Sequence, residues 1–271
     1  MTLPAPVWRG EPLAGRTVLV LAEQGLGDAI QFARYLPRIA ARGGRVVIAC
    51  APPLAPLLRR LPGVAAVAWE AAPAVADLPP HDLWVDQMSL PGLFGTRPDG
   101  VPDAAGYLPR DPEAETAWDA ALPGRRDGAR GRVGIVWAGN PRHSNDRHRS
   151  LPAADLAALL RWQRPGWISL QVGPRAAESG LPSLAPALTD FARTAAAVAA
   201  LDLVITVDTS VAHVAGALGV PCWVMLPFAP DWRWLPSAGA RTPWYDSLRL
   251  FRQPAPGDWA SVIADVGAAL A

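Results

Sequence analysis

Thr17-Val18-Leu19-Val20-Leu21-Ala22-Glu23-Gln24-Gly25-Leu26-Gly27-Asp28 decides the fold class of this chain. A continuous apolar run rich in Val and Leu reads as a strand covered on both faces, which is the situation of a parallel sheet. The glycines turn the chain, and 28–44 (DAIQFARYLPRIAARGG) reads as a helix closed by glycines. Outward from there the alternation continues. Residues 45–50 read as a strand, 52–63 as a short helix with Pro in its first turn, and 64–70 and 81–87 as strands. Residues 97–131 concentrate Pro, Gly and charge, as a linker does. The pattern then restarts, with strands at 132–140, 167–173, 203–209 and 221–227 and helices at 153–162, 189–201 (capped by Thr189 or Asp190), 210–219 and 258–271. Two successive β/α units follow, and in such sheets ligands bind outside the carboxyl ends of the strands.

Composition limits what the chain can be. Of 271 residues 51% are hydrophobic and 18% charged, enough apolar surface for two cores, and a formal net charge of +1 points away from nucleic acid or an anionic membrane as the main partner. All 25 basic residues are Arg; a GC-rich genome accounts for this globally, and a phosphate-gripping role is considered only where arginines cluster. Cys50 and Cys222 lie in apolar runs expected in separate cores, with no zinc or disulfide spacing. The first residues carry no signal-peptide pattern and no apolar run reaches spanning length, so a cytoplasmic setting without a transmembrane segment is expected.

Four stretches carry candidate chemistry. In Glu23–Asp28, two glycines let a ligand approach, and Asp28 is placed to accept a proton or simply to cap the helix; the residues alone favour the cap. In Val207–His213, a strand delivers Asp208 and Thr209 to a helix start, an anion site to which Ser210 and His213 add donors; here the functional reading is favoured over a capped helix with a satisfied histidine. Gly139–Ser150 holds two histidines and three arginines, a cationic loop that taken alone reads as solvated surface. Phe228–Trp234, continuing to Tyr245, offers aromatics for stacking on a base or for plugging a seam, with neither preferred. No Asp-x-Asp pair, Walker loop or nucleophile elbow is present, so phosphate charge falls to Arg, His, hydroxyls and a helix start, with no metal and no cofactor expected.

AEQGLGDAIQFARYLP, VGIVWAGNPRHSNDRHRSLP, DLVITVDTSVAHVAGALGVPCWVMLPFAPDWRW and PWYDSLRLFRQPAPGDW together resemble the bacterial glycosyltransferases joined to tetratricopeptide repeats, which are similar to the heptosyltransferases of glycosyltransferase family 9. The repeats themselves are missing here. The resemblance implies an α/β GT-B fold with two Rossmann-like domains facing across a cleft: 1–128 on the acceptor side, 129–257 binding the nucleotide sugar, and 258–271 a last helix packing back on the first domain. It implies inverting, metal-independent transfer from a nucleotide-diphosphate sugar to a glycan, lipid-linked or protein acceptor. By the same resemblance Asp28 is the general base, Asp208, Thr209, Ser210 and His213 hold the donor diphosphate, and Arg147 or Arg149 stands where a basic residue meets phosphate. Gln24, Gly25, Gly27, Asn140 and Trp232 belong to the cleft loops. A non-enzymatic nucleotide-sugar-binding or assembly module is the alternative, and a nucleotide-sugar epimerase the third.

Overall fold

The computed structural model describes residues 3–68, 78–122, 131–162, 166–235 and 239–271. The first unit runs β1 (Thr17–Leu21), α1 (Leu26–Phe32), α2 (Leu36–Ala40), β2 (Arg45–Cys50), α3 (Ala55–Leu58), β3 (Val64–Ala68), β4 (Leu83–Asp86), α4 (Leu90–Leu93) and α5 (Pro112–Ala121). The second runs β5 (Val133–Val136), α6 (Asp146–Arg149), α7 (Ala153–Leu160), β6 (Trp167–Ser169), α8 (Phe191–Ala199), β7 (Leu203–Val207), α9 (Ser210–Leu218), β8 (Cys222–Leu226), β9 (Leu248–Arg252) and α10 (Trp259–Leu270). Every strand pair within these sheets is parallel, and the orders are β3-β2-β1-β4 and β6-β5-β7-β8-β9. The five residues of β1 are all buried, as its apolar run requires.

Several elements differ from expectation for local reasons. The helix expected over 28–44 is two helices joined by a 3-10 turn at Ala33–Tyr35, because Pro37 cannot donate its amide and restarts the helix as a first-turn residue of α2. The expected linker holds the ten-residue α5, whose start Asp111 caps by accepting from the Ala114 N–H at 3.0 Å. The domain boundary at 128/129 and residues 69–70 of the expected third strand lie outside the described residues. Asp190 caps α8, accepting from the Arg193 N–H at 2.8 Å. Strand β9 has no counterpart in the sequence analysis: its two arginines break up a short apolar run.

The C-terminal helix corrects the expected packing. Trp259, Val262, Ile263, Val266 and Leu270 form one stripe, buried with Val133, Ile135, Met225 and Phe251 of the second sheet and Leu156 and Leu159 of α7. Only Gln253–Asp258 separates β9 from α10, so the helix stays beside its own strand and covers a sheet face that would otherwise be bare.

The two units are joined by packing. One apolar core runs continuously from Val18, Ile48 and Phe32 to Val204, Ala212 and Trp244, and it contains both Cys50 and Cys222, which were expected in separate cores. Both thiols are free, and burial pushes Cys50 up to about 11. Helix α1 lies along α9. Arg34, fully buried, donates to the carbonyls of Gln31, Pro102 and Trp244 at 2.9–3.0 Å and sits over the rings of Tyr107 and Tyr245. Inside α9, Gly216 lies flat against the buried Tyr245 ring, where a Cβ would collide with it. Gly216→Ala is therefore expected to lower stability by about 1–3 kcal/mol despite a helix-propensity gain of about 1 kcal/mol. A urea midpoint equal to or above that of the unaltered chain would show that the ring gives way.

Candidate functional site

In each sheet the strand order reverses beside a central strand, between β1 and β4 in the first and between β5 and β7 in the second. In open α/β sheets ligands bind beside such reversals, outside the carboxyl ends of the strands, and the loops leaving those ends meet here. The first sheet contributes residues 22–27 after β1 and the Asp86–Ser89 turn after β4; the second contributes 137–150, 208–210 and the loop after β8.

Loop 137–150 is a folded strap, not a loose lid. Gln171 holds its start, accepting from the N–H groups of Trp137 and Ala138 at 3.1 and 2.9 Å. Ser150 Oγ accepts from the Gly139 N–H at 2.9 Å and pairs with Asp146 Oδ1 at 3.0 Å, so the ends of the strap are tied together. Arg149 is committed to Asp146 Oδ1 at 3.3 Å and to the Asp208 carbonyl at 3.1 Å. A Cβ on Gly139 would stand 2.6 Å from that guanidinium, which is why glycine leads the strap. Arg147 is exposed beside His148, and Asn140 is exposed, its Oδ1 accepting from the Arg142 N–H at 3.0 Å.

Thr209 takes the N-cap position of α9, its hydroxyl 3.0 Å from that of Thr206. Asp208 and Ser210 flank it, half-buried, and burial pushes the Asp208 carboxyl up. Gly27 lies directly on this helix start: a Cβ there would be 2.8 Å from the His213 ring and 3.6 Å from Ser210 Cα. The two turns that the sequence treats as separate sites are thus one place. His213 differs from expectation. It is 4% exposed, its Nδ1 lies 3.0 Å from the Tyr245 hydroxyl, and its ring stacks on Trp234. Burial, and then the Arg34 charge, lower its pKa to about 3. A neutral, enclosed imidazole is a core residue in this arrangement, because the apolar seam between the units has closed over it.

Helix α1 begins at Leu26, two residues before the expected start, so its N-cap is Gly25 and not Asp28; from the third helical position Asp28 Oδ2 reaches back to accept from the Gly25 N–H at 2.8 Å. Its Oδ1 also pairs with Arg233 of the loop after β8. Arg233 in turn contacts Asp231 Oδ1 at 2.5 Å and lies over the Trp232 ring. Gln24 is exposed with φ at +67°, so the turn holds a non-glycine residue in a left-handed conformation. Trp232 and Phe228, in the loop after β8, stand 54% and 53% exposed.

Two further features went unsingled in the sequence. Arg233 was legible only as one residue of an aromatic loop. Glu23, two residues past the end of β1, lies beside Asp86, the last residue of β4, an adjacency that only the pairing of β1 with β4 creates. Burial first, and Asp86 second, push the Glu23 carboxyl up to about 7. Among the described residues no group of three or more His, Cys, Asp or Glu is placed to hold a metal ion, and no helix is long and apolar enough to cross a membrane.

This architecture, two parallel α/β units meeting at their strand ends, is the GT-B fold. The chain is similar to the E. coli ADP-heptose lipopolysaccharide heptosyltransferase II (13% identity, TM-score 0.61, 94% of this chain and 98% of that one). It is also similar to a family 9 glycosyl transferase from Veillonella parvula (12%, 0.63, 91% and 88%) and to the E. coli heptosyltransferase WaaC with ADP (14%, 0.56, 93% and 99%). At these identities the likeness establishes the fold. In sequence, the chain is 29% identical to Protein FlbA of Caulobacter vibrioides over 99% of its own length and 48% of FlbA, so it spans about half of that curated relative. No family model matches.

Proposed function

We propose that the protein is a glycosyltransferase that moves a sugar from a nucleoside-diphosphate donor to an acceptor hydroxyl, with inversion at the anomeric carbon and without a metal ion. The observation that carries this reading is the convergence of loops 22–28, 137–150, 208–213 and 227–234 on one crevice at both sheet reversals. The diphosphate meets the start of α9, where the helix dipole, the Thr209 and Ser210 hydroxyls and exposed Arg147 favour an anion. Trp232 offers a face for stacking. The acceptor enters from the first unit, and a carboxyl of the 22–28 loop takes its proton, the part that the resemblance gives to Asp28. Two buried free thiols fit a reducing, cytoplasmic setting. The heptosyltransferases of the same fold support this reading; among their structures is one with ADP-2-deoxy-2-fluoro heptose. The close packing of Gly27 on His213 favours, as a second reading, a binding module whose units do not part for an acceptor.

Thr209→Val tests the donor site. Thr206 keeps its bond to the Val207 carbonyl at 2.7 Å, so the fold is expected to hold. Loss of one hydrogen bond to a charged phosphate, about 1.5–3 kcal/mol, should weaken ADP, UDP or GDP binding by about 10- to 150-fold. Calorimetry in EDTA measures it. Equal affinities for both proteins place the diphosphate elsewhere, and binding that appears only with added magnesium rejects the metal-free site. Release of free sugar or glycoside from the bound donor separates a transferase from a binding module.

A further inference from the structure

The loop after β8 reaches the start of α9 at three points. Trp234 stacks on the His213 ring, and Asp231 adds to the upward shift that burial gives the Asp208 carboxyl. Arg233 crosses to the first unit and braces it by pairing with Asp28. Asp28 follows Gly27, which packs on Ser210 and His213, so the pair lies next to the helix start that faces the donor diphosphate in the function proposed above. The guanidinium has donor capacity left there. Its Nη1 donates to Asp231 Oδ1 at 2.5 Å and its Nη2 meets Asp28 Oδ1, whereas its Nε is buried with no hydrogen-bond partner among the described residues. Asp28 Oδ1 is enclosed as well, with Arg233 as its counter-charge, while Oδ2 accepts from the Gly25 N–H. A planar guanidinium with an unused N–H is suited to phosphate, which accepts two parallel hydrogen bonds from such a fork.

We infer, on the glycosyl-transfer reading above, that Arg233 is a donor ligand that exchanges partners: before the donor binds it covers Asp28 Oδ1, and the arriving diphosphate draws it away and uncovers that oxygen. The resemblance gives Arg233 no part. A diphosphate carries more charge than one carboxylate and offers an acceptor to Nε as well, so it competes for the guanidinium with Asp28. A buried carboxylate that loses its counter-charge binds a proton more readily. As the acceptor oxygen then bonds to the anomeric carbon, its O–H proton passes to Asp28 Oδ1. The bond from that carbon to the diphosphate oxygen breaks, and its electron pair leaves with the nucleoside diphosphate. Arg233 faces the charge that this leaving group gains. The acceptor is thus deprotonated only in a site that already holds a donor.

Calorimetry with ADP, UDP and GDP in EDTA compares the full chain with Asp28→Asn and with the double variant Asp28→Asn/Arg233→Met, and melting curves show that each is folded. Asn keeps an acceptor for the Gly25 N–H but has no charge with which to hold Arg233. Removing Arg233 in that background leaves no buried carboxylate unpaired. Asp28→Asn is expected to bind the nucleoside diphosphate about tenfold more tightly, as when a binding-competent state rises from about one tenth to full population. The double variant is expected to bind about 10- to 150-fold more weakly than Asp28→Asn, the equivalent of one lost hydrogen bond to a charged group. A pair that only joins the units would leave both variants at or below the affinity of the unaltered chain. Asp28→Asn binding no tighter than the unaltered chain overturns the exchange, and equal affinities in the two variants remove Arg233 from the diphosphate. Either result overturns the inference while the donor site stands. An unaltered chain that binds none of the three overturns the donor reading and this inference together.

Discussion

Acidification from pH 6.5 towards pH 3 is expected to remove on the order of 4 kcal/mol of folding stability through His213 alone. In the folded chain this imidazole is enclosed between Trp234 and Tyr245, with the buried Arg34 charge nearby, and stays neutral down to about pH 3. In the unfolded chain it protonates below about 6.5. The unfolded state therefore binds more protons in that window. The stabilisation is complete above the unfolded pKa and is lost as pH falls through the window. Glu23 acts with the opposite sign. Its folded pKa is raised from 4.5 to about 7, so its contribution is full below 4.5 and fades as pH rises through 7. Between pH 4.5 and 6.5 the two partly offset each other, and the loss steepens below 4.5. Urea unfolding at a series of pH values measures the slope. His213→Gln, which cannot charge, should flatten it, and Glu23→Gln should unmask the histidine slope at higher pH. Identical slopes for the unaltered chain and His213→Gln would mean that His213 is accessible to protons and free to meet a phosphate.

Replacing Arg233 by Met is expected to cost about 3–5 kcal/mol, the range for breaking a buried ion pair by removing one partner. The Arg233 and Asp28 side chains are 12% and 14% exposed, and Met keeps most of the volume while leaving the Asp28 carboxylate facing an apolar group. Asp231, 38% exposed, can turn to water and should matter less. The double variant Asp28→Asn/Arg233→Met should recover much of the loss. A neutral amide still accepts from the Gly25 N–H and leaves no buried charge behind. Denaturant midpoints for the two single variants and the double variant give the coupling energy. A single-variant cost below about 1 kcal/mol would put the pair with exposed surface bridges, and the brace between the units would then lie in the Arg34 cluster.

The site was partly legible before folding. The turn after β1 and the start of α9 were both found, because a buried strand, small residues and a capping side chain leave strong local signals. The cap of α8 was narrowed to Thr189 or Asp190 for the same reason, and the structure assigns it to Asp190. What each side chain does there was less legible. His213 carries the same letters whether it faces a phosphate or a tyrosine, and the residues around Asp28 favoured a cap without naming its partner Arg233. Arg233 and Glu23 had no local mark: the first acquires its meaning from Asp28, some two hundred residues away, and the second from a strand pairing.

The sequence by itself determined the class of fold, since continuous apolar strands separated by amphipathic helices can bury themselves only in parallel sheets covered on both faces. It also determined which strand ends bear polar residues, and therefore where a crevice can hold a ligand. Tertiary structure alone decided that α10 covers the second sheet, that α1 closes on α9 over His213, and that Asp28 meets Arg233 while Glu23 meets Asp86. Periodicity is a property of neighbours along the chain, whereas burial and ion pairing depend on which distant surfaces meet.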